Sequence, residues 1–129
     1  MSHPWTHAES SASLFGGKTE DYIALHSWFD DTKSWCSNWR HRAFRHQSEG
    51  IKECVDVFGQ EIMNSDGIAV SVYELGVQHV TEDVGFVPTP MDWFEHYDES
   101  SWNAFCEEKR STKSVISSST PFTIRDYIS

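Results

Sequence analysis

Most of this chain spaces its apolar residues at a helical period, and one stretch spaces them at the period of a strand. Residues 18–30, KTEDYIALHSWFD, set Tyr22, Leu25, His26 and Phe29 on one stripe at about 100° per residue, with Ile23, Ser27 and Asp30 on another side. Thr19 is the expected N-cap, and Glu20 and Asp21 fall in the first turn, where the helix dipole favours negative charge. A helix is expected there, with His26 at the edge of its buried face. Upstream, Thr6 to Phe15 reads as a short helix closed by Gly16 and Gly17. Thr32 to Gln47, carrying Trp35, Trp39 and Phe44, reads as another, and so does Ser48 to Phe58, carrying Ile51, Val55 and Phe58 ahead of Gly59.

The period then changes. In EIMNSDGIAVSVYEL, Ile62 precedes the turn residues Asn64 to Gly67, and Ile68, Val70 and Val72 alternate after them, which predicts a hairpin of two short strands. Gln78 to Asp83 reads as a helical turn ended by Gly85, Pro88 and Pro90 mark a loop, and Met91 to Tyr97 a short aromatic helix. The expected fold is α+β: a mainly helical single domain over residues 1–110 with a small β-hairpin, followed by an extended Ser/Thr-rich tail over 111–129. Trp35, Trp39, Trp93 and Phe94 are expected in the core.

Composition narrows the function. Hydrophobic residues make up 38% of the chain, enough for a core, and no apolar run has the length of a membrane span. The N-terminal MSHPWTHAESS lacks the basic and apolar regions of a signal peptide, so the expected location is the cytoplasm, or the host cytoplasm for a phage protein. Cys36, Cys54 and Cys106 form no CxxC pair, so they are expected as reduced thiols. The formal charge is −10, and it is unevenly spread: thirteen carboxylates and no Lys or Arg lie between Glu53 and Glu108, whereas Lys33 to Arg45 holds four cations and no carboxylate. Such a balance disfavours nucleic acid as a partner. The two blocks can simply neutralise each other within the fold.

Seven histidines are scattered along the chain, not gathered in a tag. Neutral imidazole is the commonest ligand of zinc and iron, and carboxylates complete such sites. His26 with Asp30, and His79 with Asp83, stand at i, i+4, which puts each pair on one helical face. His41 and His46 bracket HRAFRH and share a face only if the helix breaks between them. The candidate metal ligands are His7, His26, Asp30, His41, His46, His79 and Asp83, with Arg42 and Arg45 as candidate anion-binding residues. A metal beside guanidinium groups suits phosphoester chemistry. There is no HExxH, no phosphate loop and no nucleophile elbow, so whether the chain is an enzyme stays open.

The strings HRAFRH and QHVTED, together with GGKTEDYIALHSWFDDTK and the FG before the hairpin, resemble a family of small uncharacterised proteins from bacteria and their phages. The matching positions are His7, Gly16, Gly17, Asp21, Tyr22, His26, Asp30, Lys33, His41, Arg42, Arg45, His46, Gly50, Phe58, Gly59, Gln78, His79, Asp83 and Gly85, within about residues 5–94. The resemblance implies one shared polar site and no particular reaction.

The leading expectation is thus a small soluble protein holding a divalent metal, zinc or iron, and acting as a metal-dependent hydrolase on a phosphoester or nucleotide, with an anionic small molecule as ligand. The alternative is an acidic phage-type interaction or inhibitor protein whose carboxylate-rich surface binds a basic surface of a host protein. A third reading makes the histidines a buried hydrogen-bond network that only fixes the fold.

Overall fold

The computed structural model describes residues 3–36 and 38–117, with the backbone alone for 111–117. Its α-helices are α1 (Pro4–Phe15), α2 (Ile23–Asp30), α3 (Arg42–Arg45), α4 (Ser48–Phe58), α5 (Val72–Val84), α6 (Pro90–Glu95) and α7 (Glu99–Ser117); a hairpin of β1 (Glu61–Met63) and β2 (Ala69–Ser71) lies between α4 and α5. This is the mainly helical α+β arrangement that the sequence predicts. No helix among the described residues is long and apolar enough to cross a membrane.

Several elements differ from their sequence expectation, each for a local reason. The helix expected over 18–30 begins as a 3-10 turn, Thr19–Tyr22, before α2. The Asp21 carboxylate accepts the Lys18 N–H at 2.8 Å, so the cap forms at Lys18 and not at Thr19. The long helix expected from Thr32 to Gln47 is broken into 3-10 turns at Asp31–Ser34 and Trp39–His41 and the single turn of α3. Asn38 causes one break by accepting the Arg40 N–H on its side chain, and His46 (φ −84°, ψ 61°) ends α3. The hairpin stops at Ser71, in register Glu61↔Ser71, Ile62↔Val70 and Met63↔Ala69. Val72 opens α5, because the Ser71 hydroxyl caps the Glu74 N–H. What reads as one turn over 78–83 is therefore a helix from Val72 to Val84, closed by Gly85 at φ +100°. Helix α7 runs past the expected boundary at residue 110 to Ser117, and residues 118–129 of the Ser/Thr-rich tail lie outside the described residues.

Helix α5 is the axis of the domain, with α1, α2 and α4 packed around it. Its Val72, Leu75, Val77, Val80 and Val84 join Leu25 and Phe29 of α2, Ile51 and Cys54 of α4 and Ala8 of α1 in one core. Burying each of the larger apolar side chains stabilises the fold by roughly 1.5–3 kcal/mol. A second, aromatic cluster docks α6 and α7: Trp93 and Trp102 stack with ring centroids 3.6 Å apart, flanked by Trp39, Phe86 and Phe105. Of the aromatics expected in the core, Trp93 is buried and Trp39 partly so, but Trp35 (64% exposed) and Phe94 (76%) are on the surface. Trp35 instead meets Phe44 edge to face at 5.4 Å. Cys54 and Cys106 are buried free thiols and Cys36 is half-buried.

The turn into α4 is where His46 is fixed. Gln47 caps α4 by accepting the N–H groups of Glu49 and Gly50, and the Trp93 indole donates to the His46 carbonyl at 3.0 Å. A Cβ added at Gly50 would overlap the backbone carbonyl of Arg45. Gly50→Ala is expected to destabilise the domain by about 2 kcal/mol or more through this overpacking, seen as a lowered urea midpoint with an unchanged m-value.

Candidate metal centre

Three places in the fold bring four ligand atoms to a common point. Asp30 ends α2, His46 follows α3, and His79 and Asp83 lie one turn apart on α5. One ligand atom from each of these four falls within 4.8 Å of every other. His46 Nε2 is 3.0 Å from Asp83 Oδ2 and 3.1 Å from His79 Nε2, while His79 Nε2 is 3.4 Å from Asp83 Oδ2. Asp30 Oδ1 stands 3.6 Å from His46 Nε2 and 3.8 Å from His79 Nε2. Tetrahedral ligands at zinc bond lengths of about 2.0–2.2 Å lie about 3.3–3.6 Å apart, so these separations bracket the edges of such a shell. Both Asp30 oxygens are buried and lack a hydrogen-bond partner, a costly state for a carboxylate that a cation would relieve. Two imidazoles and two carboxylates suit a divalent metal and cancel its charge. The buried Asp30, His46, His79 and Asp83 group can therefore hold a metal ion.

The surrounding hydrogen bonds decide where the protons sit. Gln78 Nε2 lies on two acceptors, the His7 carbonyl at 3.0 Å and Glu82 Oε1 at 3.1 Å, so its amide oxygen faces Ser11. Two of the three partners of the Ser11 hydroxyl, the Gln78 oxygen and the His7 carbonyl, can only accept, so the hydroxyl gives its proton to them and accepts from His26 Nε2 at 2.7 Å. With that proton on Nε2, His26 Nδ1 is an acceptor, and it receives the Nδ1–H of His79 at 2.9 Å. His79 Nε2 is thereby left with its lone pair turned into the four-residue group. Hydrogen bonding of a ligand's far nitrogen is the usual way a fold prepares a metal-binding histidine.

His7 sits between two carboxylates, with Nδ1 2.7 Å from Glu82 Oε1 and Nε2 3.0 Å from Asp83 Oδ1. Both neighbours only accept, so both ring nitrogens carry protons. Burial opposes the charge, but the hydrogen bonds to Asp83 and Glu82 outweigh it and raise the pKa to about 9. The Asp83 carboxyl is buried as well, yet its hydrogen bonds with His46 and His7 hold it far below the usual range. Burial likewise opposes ionisation of Asp30, but the neighbouring His79 and His46 hold it low. Burial drives His26 the other way, to about 2, helped by His79 and His7, and drives His46 to about 4 against the pull of Asp83. His46 Nδ1 is buried without a partner, so no hydrogen bond there fixes the tautomer of that ring.

Of the residues expected as ligands, then, Asp30, His46, His79 and Asp83 converge, while His7 and His26 stand behind them with both ring nitrogens committed elsewhere. His41 lies outside the four-atom group. Its Nδ1 donates to the Asn38 carbonyl at 2.9 Å, and its buried Nε2 has no partner. The candidate arginines separate: Arg45 donates to the Trp28 carbonyl and stacks over Trp28 at 4.1 Å, whereas Arg42 lines a surface cavity beside Asp83. Ser11, Gln78 and Glu82 are not among the site residues that the sequence predicts. Their signal in the sequence was the spacing of Ser11 four after His7 and of Glu82 four after Gln78, which puts each pair on one helical face.

A family model described as "Domain of unknown function (DUF6915)" matches residues 2–103. The chain belongs to this family. No curated protein and no solved structure matches it. The DUF6915 match spans every residue of the hydrogen-bonded centre, from His7 to Asp83, and ends within α7.

The opposed histidine shifts set the pH response of the metal-free protein. His26 and His46 have folded pKa values below the ordinary 6.5, so below that pH the unfolded chain takes up protons that the folded one refuses, and stability falls with pH. His7, raised to about 9, adds stability that is fully present below 6.5 and is lost as the pH rises towards 9. Thermal melts of chelator-treated protein are expected to peak near pH 6.5 and fall on both sides, and His7→Gln is expected to flatten the alkaline flank.

Proposed function

We propose that this DUF6915 protein binds one divalent metal, zinc or iron, at Asp30, His46, His79 and Asp83, and that it is a metal-dependent hydrolase of a phosphoester or nucleotide. The observation behind this reading is the convergence of four donor atoms at metal-shell spacing, with the His79 lone pair directed inward by the Ser11–His26–His79 hydrogen-bond chain. A metal so held would supply Lewis-acid activation of water and of a phosphoryl oxygen. The chain's own contribution is positional. His7 takes Asp83 Oδ1 so that Oδ2 is turned inward, and His26 fixes the ring of His79. Hydrolysis is favoured over a purely structural metal by the surface cavity that Asp83 shares with Arg42.

Metal analysis of protein purified without chelator is expected to give about one equivalent of zinc or iron per chain, lost in a His46→Ala, His79→Ala double variant. His26→Ala should keep the metal but weaken it by about 10–100-fold, because it removes only the hydrogen bond behind His79. A metal-free wild type that keeps its melting temperature on zinc titration would return the cluster to a fold-fixing network. Hydrolysis of a chromogenic phosphoester by loaded protein, abolished by chelator and by Asp83→Asn, is the expected activity readout.

The reading as an acidic interaction protein draws support from one surface. Around α6, Met91, Phe94 and Tyr97 are exposed beside Glu95, Asp98 and Glu99. Asp92 and Asp98 also cap helices, accepting the N–H groups of Thr89 and Ser101. Reversing Glu95 and Glu99 to Lys, which leaves both caps intact, is expected to abolish salt-sensitive capture by a basic host protein on this reading.

A further inference from the structure

The cavity beside the metal centre is built from three stretches far apart in the chain. Trp39, Arg42, Asp83 and Val84 line one side, and Glu99, Trp102, Asn103 and Arg110 of α7 line the other. Its volume is about 170 Å³, below the roughly 300–1,000 Å³ of sites for drug-sized ligands. It therefore suits a single small polar group. Arg42 and Arg110 both line it, and among the described residues neither forms an ion pair with a carboxylate. Arg42 Nε is buried and has no hydrogen-bond partner, an unmet donor in a protein whose cations are few. Arg110 is anchored, since its Nε donates to the Val84 carbonyl at 3.1 Å and its side chain crosses Gly85 where a Cβ would collide with it. That bond leaves the rest of its guanidinium fork available.

We propose that this cavity is a phosphoryl-binding subsite in which Arg42 and Arg110 grip the oxygens of a small phosphate group next to Asp83. Paired arginine forks match phosphate geometry and charge better than any other side chains. Glu99 and the ionised Asp83 are the opposing charges on the lining and limit how much negative charge the subsite accepts. The subsite rests on the metal-centre reading for its place in a reaction, and its own occupancy is measurable without metal. Arg110 lies beyond residue 103, where the family match ends, so this half of the subsite belongs to the chain's own α7.

The test is calorimetric titration of inorganic phosphate into chelator-treated protein and into protein carrying one equivalent of zinc. Binding is expected in both forms, weakened about 10-fold by Arg110→Gln and by Arg42→Gln and strengthened several-fold by Glu99→Gln. Arg110 is exposed, so its variant keeps the test valid should Arg42→Gln fail to fold. No heat of binding up to about 10 mM phosphate in either form, or binding indifferent to Arg110→Gln, overturns the proposal. Metal content measured on the same samples reports separately on the centre: phosphate binding with no metal uptake keeps the subsite and removes the hydrolase reading.

Discussion

The desolvation of ionisable groups at the middle of the domain governs this structure. His7, His26, His46, His79 and Asp83 have almost no access to solvent, and each would be costly to bury alone. They are tolerable together because every proton but one is assigned. The Gln78 amide orients the Ser11 hydroxyl, that hydroxyl orients His26, and His26 orients His79, while a protonated His7 bridges two carboxylates. The packing of α1, α2 and α5 is constrained by this chain as much as by their apolar faces. Where the assignment ends, at Asp30 and at the inward nitrogens of His46 and His79, a small volume is left whose donors match a cation.

This arrangement explains why the histidines had to be distributed along the sequence. Helix α1 gives His7 and Ser11, α2 gives His26 and Asp30, and α5 gives Gln78, His79, Glu82 and Asp83, so one centre reads out the mutual placement of three helices. His46 is brought in by a different device, the abrupt end of α3, with Gln47 capping the next helix and Trp93 holding the intervening carbonyl.

How much of this is legible in the sequence follows from what is local. The i, i+4 pairing of His79 with Asp83 is a helical property, and both do reach the centre. The same spacing of His26 with Asp30 sends only Asp30 there, since which side of a ring is occupied depends on Ser11, fifteen residues away. Arg45 was indistinguishable from Arg42 in HRAFRH; what separates them is Trp28, which offers Arg45 a carbonyl and an aromatic face. The break of the long helix expected over 32–47 lies with Asn38, a residue whose side chain competes with its own backbone, while apolar periodicity reports only which residues want cover. The exposure of Phe94 and Trp35 is likewise a tertiary outcome, because an aromatic residue at helical spacing carries no label saying that a neighbour already fills the core. Arg110 is the last residue before the segment whose composition reads as a tail.

The stacked Trp93 and Trp102 rings tie α6 to α7, and the Trp93 indole N–H is bonded to the backbone of His46. Two indoles in such close parallel contact couple their electronic transitions, which gives the folded molecule an optical signature of its own. Because one of the pair is tethered to a centre residue, small movements of that residue reach the chromophore directly. The protein thus carries a native spectroscopic reporter, and its near-ultraviolet dichroism and emission can follow occupancy of its interior without any attached dye.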